Sequence, residues 1–152
     1  MLLYFLVFTF TFCLFTFALK HLPFTFLSLS RCVRIFDMGE NCLFCRIIAG
    51  EIPSAKVYED DVCVAFDDIS PQAPTHVLII PREHFDSLDK AGKNHRETLG
   101  HLLLTGAEIA REKGFNEDGY RVVINTNGDG GQTVFHLHVH LLGGRPFVFP
   151  PG

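Results

Sequence analysis

His136, His138 and His140 alternate with Leu137 and Val139 in the run His-Leu-His-Val-His. On an extended strand successive side chains point to opposite faces, so this spacing puts three imidazoles on one face and Leu137, Val139 and Leu141 on the other. Gly130-Gly131 and Gly143-Gly144 bound the run, which reads as a short strand between turns. Near neutral pH an imidazole can be nucleophile, general acid, phosphate donor or metal ligand. Same-face neighbours on a strand lie about 6.5–7 Å apart. That is long for three bonds of about 2 Å to a single ion, although a twisted strand could bring two of them to one metal. Phosphate chemistry fits the spacing better.

Immediately upstream, Asn125-Thr-Asn-Gly-Asp-Gly-Gly-Gln-Thr133 can offer backbone N–H groups, an amide and a hydroxyl to an anion. Alone it would be an ordinary turn connection; before three histidines it reads as an anion loop. A second constellation is Cys42-Leu-Phe-Cys45, spaced so that both thiolates can grip one metal ion. By itself the pair serves equally as a redox couple or as two buried thiols.

The segment Gly131-Gln-Thr-Val-Phe-His136-Leu-His138-Val-His140-Leu-Leu-Gly-Gly-Arg145, with Pro150-Pro-Gly at the end, resembles the signature of the histidine triad (HIT) family. Phe66-Asp-Asp-Ile-Ser-Pro-Gln-Ala-Pro-Thr-His76, Ile79-Ile-Pro81 and Cys42-Leu-Phe-Cys-Arg-Ile-Ile48 extend the resemblance over residues 38–152. Within the family the chain is most similar to the nucleotide-binding branch, which hydrolyses purine nucleoside phosphoramidates.

The resemblance implies roles residue by residue. His138 is the nucleophile that attacks the α-phosphorus and forms a nucleotidyl-histidine, which water then hydrolyses. Its other ring nitrogen is expected to be held by a main-chain carbonyl. His140 contacts the phosphate, and Asn125, Thr133 and Gln132 belong to the phosphate and substrate contacts, with Thr133 keeping the hydroxyl of a family serine. His76 supports proton movement as the leaving group departs. Asp68 accepts the ribose hydroxyls, while Phe44, Ile47, Phe66, Asp67 and Ile69 line the base pocket. In most chains Phe44, Ile47 and Phe66 would simply be core, and Asp68 before Ser70-Pro71 a turn residue. The resemblance also implies that His84 and His136 complete a structural Cys₂His₂ zinc set with Cys42 and Cys45, no metal being needed for the chemistry. His95 and His101 carry no motif and read as helix-start or helix-surface residues.

Residues 1–37 stand apart. Met1 to Leu19 contains no charged residue and is dominated by Phe and Leu, long enough for a membrane span. It lacks a basic segment before the apolar run and a clear small-residue cleavage site. Lys20, Arg31 and Arg34 would suit the cytoplasmic side of an anchor, and the absence of acidic residues before Asp37 suits an organellar presequence. Translation starting at Met38 would leave the leader out of the working protein. The expected organisation is a Phe-rich leader, 1–37, and one HIT domain, 38–152. The expected location is the cytoplasm, with organellar or membrane-anchored alternatives, and contact with a membrane only if 1–19 is retained.

The 152 residues suffice for one domain with a core. A net charge of −4 without a basic patch argues against binding a nucleic-acid backbone and for one purine nucleotide in a pocket. Five cysteines, an odd number, do not form the disulfide framework of a small secreted domain.

The pattern predicts an α+β fold. Residues 46–50 finish a short helix ended by Pro53; 56–59 and 62–66 form a hairpin turning at Asp60-Asp61; 75–80 is a strand stopped by Pro81. Apolar residues at helical spacing over 94–113 make one long helix ended by Gly114. Strands at 120–125 and 136–142 complete a mainly antiparallel five-stranded sheet. The family resemblance further implies a homodimer through the long helix and an adjoining strand, with Phe149 standing where many relatives have tryptophan. The competing readings are a dinucleoside polyphosphate hydrolase, a nucleotide-sensing or scaffold module, and a metal-binding protein without catalysis. A hexose-phosphate nucleotidylyltransferase is disfavoured because that branch has glutamine at the position of His140.

Overall fold

A computed structural model describes residues 41–150; the leader at 1–37 lies outside the described residues. Among those described, no helix is long and apolar enough to cross a membrane. The elements are α1 (Leu43–Ile48), β1 (Lys56–Glu59), β2 (Cys63–Asp67), β3 (Thr75–Pro81), α2 (Arg96–Glu112), β4 (Arg121–Val123) and β5 (Val139–Gly143), with 3₁₀ turns at Leu88–Lys90 and Lys93–His95. One antiparallel sheet runs in the order β1-β2-β3-β5-β4. The expected α+β architecture of five strands, one long helix and a short N-terminal helix is the one found.

β2 and β3 are buried along almost their whole length because both faces of the sheet are covered. On one face Cys63, Ala65, Val77, Ile79, Val139 and Leu141 pack with Leu102, Ile109 and Ala110 of α2. On the other, Val64, Phe66, Leu78 and Ile80 pack with Phe44 and Ile47 of α1. Each fully buried aliphatic side chain here contributes about 1.5–3 kcal/mol. The buried residues of α2 fall at 102, 105, 106, 109 and 110, one stripe of a 3.6-residue period. Gly106 lets that stripe sit close to the sheet: a Cβ there would stand 3.2 Å from Ile79 Cδ1. Gly114, at φ +75°, ends the helix as its sequence position predicts.

Several boundaries depart from the sequence reading. α1 starts at Leu43 and is terminated by Gly50 in the left-handed region (φ +78°), three residues before Pro53. α2 begins at Arg96 because residues 93–95 wind as 3₁₀. β2 is shifted to 63–67, β3 includes Pro81, and β4 keeps only three residues. β5 starts at Val139, so His136 and His138 precede the strand. The reason lies in the register. Ile79 pairs with Val139, so the next hydrogen-bonded pair, two residues on, would set Leu137 against Pro81, which has no N–H to give the ladder. Leu137 donates its own N–H to the Phe85 carbonyl instead, at 2.8 Å. The in-and-out alternation nevertheless persists: Leu137, Val139 and Leu141 are core, and the histidines take the other side.

The β1–β2 turn is organised by Asp60. Oδ1 accepts the Val62 and Cys63 N–H groups at 2.8 and 2.7 Å; Oδ2 lies 2.9 Å from the Tyr58 hydroxyl and 2.6 Å from His101 Nε2 on α2. Arg82 Nε donates to its carbonyl at 2.6 Å. Burial acts to raise the Asp60 pKa, but the Cys63 and Val62 N–H groups, His101 and Tyr58 outweigh it and hold the carboxyl well below the usual range. His95, the other histidine without a motif, stacks on Phe85 at 4.4 Å.

A carboxyl depressed by folding stabilises the fold above its unfolded pKa and loses that contribution as pH falls through its folded value. Asp60→Ala is expected to cost about 2 kcal/mol at neutral pH. The deficit relative to wild type should shrink as pH drops below about 4, as measured by urea unfolding across pH.

Candidate functional site

His138 is 5% exposed and lies just ahead of β5. Its Nδ1–H donates to the carbonyl of His136 at 2.8 Å, which leaves the Nε2 lone pair free of the proton. This is the main-chain carbonyl that the sequence reading expected without locating. His140 follows within β5, its ring centroid 4.9 Å from that of His138, nearer than the roughly 6.5–7 Å between same-face positions of an ideal pleat.

The third imidazole in contact comes from β3. Leu78 pairs with His140 across the ladder, and His76, two residues earlier, reaches the same histidine: Nε2 of His76 lies 2.9 Å from Nδ1 of His140. The Gln72 N–H donates to His76 Nδ1 at 3.2 Å. His76 therefore carries its proton on Nε2 and gives it to His140 Nδ1, so the His140 proton sits on Nε2. That Nε2 is buried and has no partner among the described residues. Burial, reinforced by His138 and His76 and opposed by Asp68, pushes His140 down to about 4. Burial likewise lowers His76, with Asp68 opposing. Both imidazoles are thus neutral near pH 7.

Asp68 joins this group to a cavity. Its Oδ2 stands 3.5 Å from His76 Nε2, and its Oδ1 accepts the Ser70 N–H at 2.8 Å, so it also serves the turn. A cavity of about 400 Å³ opens beside it, lined by Phe44, Ile47, Phe66, Asp67, Asp68 and Ile69 together with Leu43, Ile52, Pro53, Ser54, Ala55 and Leu78. The first six are the base-pocket and ribose residues named from sequence. The others were missed, although Leu78 was reachable: its register partner Phe66 puts it on the same face. Phe44 forms the partition, edge-on to Phe66 at 5.8 Å and to His138 at 5.2 Å.

The glycine-rich loop is less uniform. Asn125, half-buried, lies two residues beyond Val123, which pairs with His140; carried on, that register sets it across from His138. Thr133 is exposed. Gln132 is buried and spends its amide on the protein: Nε2 donates to the Asp86 and Val134 carbonyls, and Oε1 accepts the Asn127 N–H. Gln132 braces the loop, and the loop is tight: a Cβ on Gly130 would fall 2.3 Å from the Thr126 carbonyl oxygen.

On the far side of Phe44, Cys42, Cys45, His84 and His136 form a second cluster with ligand atoms all within 4.8 Å of one another. Nδ1 of His136 lies 3.5 Å from each sulfur and 3.1 Å from His84 Nδ1, and Cys45 Sγ lies 3.3 Å from His84 Nδ1. Tetrahedral bonds of about 2.0–2.3 Å imply ligand separations of roughly 3.3–3.8 Å. The outer nitrogens are engaged: His136 Nε2–H donates to the Pro81 carbonyl at 2.9 Å, and His84 Nε2 lies 3.2 Å from Asp86 Oδ1. Both Nδ1 lone pairs are thereby turned inward, toward each other, an arrangement that a shared cation relieves. Burial, partly offset by the Pro81 carbonyl, pushes His136 down to about 4 and keeps it a neutral ligand. The donor set suits zinc.

A HIT domain family model matches residues 49–147. The chain is 51% identical over 109 residues to the purine nucleoside phosphoramidase of Escherichia coli K12, covering 72% of this chain and 92% of that one. It is 54% identical over 112 residues to the 14 kDa zinc-binding protein of Zea mays, covering 72% and 87%. Among solved structures, a HIT family hydrolase from Legionella pneumophila superposes with a TM-score of 0.73 at 49% identity, covering 74% of this chain and all of that one.

Proposed function

The chain belongs to the HIT family, and from that premise we propose that it is a hydrolase cleaving the P–N bond of purine nucleoside 5′-phosphoramidates. The observation that carries this reading is His138: Nδ1 is tied to the His136 carbonyl and Nε2 is bare, beside a cavity of nucleoside size. Nε2 attacks the α-phosphorus, the P–N bond of the substrate breaks, and the amine departs with a proton. Water then breaks the new P–N bond to His138, releasing nucleoside monophosphate. His140 Nε2–H, neutral and without a partner among the described residues, is placed to donate to a phosphate oxygen. His76 sits behind it as a proton relay, and Asn125 and Thr133 supply further polar contacts. Asp68 takes the ribose hydroxyls, and Phe44, Ile47, Phe66, Asp67 and Ile69 hold the base.

The reading includes a structural zinc ion held by Cys42, Cys45, His84 and His136, outside the chemistry itself. The 54% identical zinc-binding relative and the inward-facing donors support it. It also includes a homodimer. β4 is an edge strand, and Leu103 and Leu104 of α2 are 45% and 72% exposed, an apolar margin that a second copy would cover.

Steady-state hydrolysis of adenosine 5′-phosphoramidate should fall at least about 10³-fold in His138→Ala. Faster turnover of a dinucleoside polyphosphate than of the phosphoramidate would instead favour that hydrolase. Purified protein should contain one zinc per chain; Cys45→Ser should lose the metal and lower the Tm by several degrees, as read by metal analysis and thermal unfolding. Sedimentation should give twice the chain mass, and Leu104→Glu should shift it toward the monomer.

A further inference from the structure

The proton between His76 and His140 has a direction, and that direction is set from outside the site. If His76 turned to its other tautomer, Nδ1 would carry the proton and Nε2 would become an acceptor. His140 would then have to donate from Nδ1, leaving a bare lone pair on the Nε2 that faces the phosphate position. The donor would become a repulsive acceptor with no atom displaced. Two groups oppose this: the Gln72 N–H, which needs an acceptor at His76 Nδ1, and Asp68, whose Oδ2 at 3.5 Å from His76 Nε2 favours a proton there.

Gln72 is an exposed residue in the turn linking β2 to β3, where water competes for that N–H. The turn is gripped by Arg145, whose Nη2 donates to the Gln72 carbonyl at 3.1 Å. Arg145 is itself located from the C-terminal side: its guanidinium lies 4.3 Å over the Phe147 ring. Phe147 is also covered by Arg121 at 4.9 Å, and Arg121 Nη2 donates to the Val148 carbonyl at 2.5 Å. Gly144 brings the two segments together, its Cβ position 3.1 Å from Pro74.

We infer that Arg145 is a positioning residue: by holding the Gln72 carbonyl it keeps the Gln72 N–H on His76 Nδ1 and so keeps His140 a donor toward the phosphate. The inference rests on the proposed reaction for its kinetic consequence, but not for its tautomer. The C-terminal segment thereby acts on the chemistry through the Gln72 backbone, its carbonyl held on one side of the Cα and its N–H directed to His76 on the other.

The test is ¹⁵N NMR of the histidine rings in the full chain at pH 7, run on wild type, Arg145→Met and Arg145→Lys beside kinetics on adenosine 5′-phosphoramidate. In wild type, His76 should be protonated at Nε2 and bare at Nδ1. In Arg145→Met both rings should shift toward a tautomer mixture, with kcat lowered about three- to tenfold and KM changed by less than about twofold. Lysine, which can still donate to the Gln72 carbonyl, should recover much of both. A wild-type His76 protonated at Nδ1, or unchanged ring shifts in Arg145→Met whatever happens to kcat, overturns the inference. Ring shifts that respond as expected in a wild type without phosphoramidase turnover overturn the proposed reaction and leave the positioning role standing.

Discussion

The hydrogen bond from His138 Nδ1 to the carbonyl two residues behind it is the constraint around which the rest is arranged. A peptide carbonyl can only accept, so it selects one tautomer and leaves the opposite nitrogen available. For that to happen the chain at 136–138 must run extended while its carbonyls are not consumed by a neighbouring strand. Pro81, which has no N–H for Leu137, stops the β3–β5 ladder at Ile79–Val139. Its own carbonyl is used in turn by the His136 ring. Two adjacent histidines are thus oriented by two main-chain carbonyls, one of which belongs to the other histidine.

His136 consequently sits in both constellations, its ring turned to the Cys pair and its backbone to His138. Phe44 separates the two, touching both rings edge-on, 5.9 Å from His136 and 5.2 Å from His138. It is positioned by α1, the short helix that also carries Cys45 and Ile47. The metal-type cluster, the apolar cavity and the imidazole face are therefore three sides of one small helix packed on one sheet face.

Much of this was legible in the sequence. The alternation of histidines with Leu137 and Val139 forecast which side chains share a face, because burial in the core dictates it whether or not a ladder exists. Resemblance to a family singled out Phe44, Ile47, Phe66 and Asp68, which composition alone would have left in the core or in a turn. What sequence could not show depends on register and on distant partners. The strand start at Val139 follows from Pro81 standing opposite Leu137, a pairing 56 residues apart that no local window contains. Asp60 and His101 are separated by 41 residues and carry no motif, yet they join the hairpin to α2. Gln132 looked like a ligand contact by position, but its amide closes its own loop.

The span of the Cys/His cluster bears on how the protein reaches its working state. Cys42 and His136 touch across 94 residues, nearly the whole described chain, with β1, β2, β3, α2 and β4 all between them. Closing so long a loop is entropically costly and rewarded only after intervening contacts exist. The Cys/His cluster is thus a product of the completed sheet, whereas the carbonyl that orients His138 is only two residues away. The integrity of that cluster therefore reports closure of the whole sheet rather than any local element.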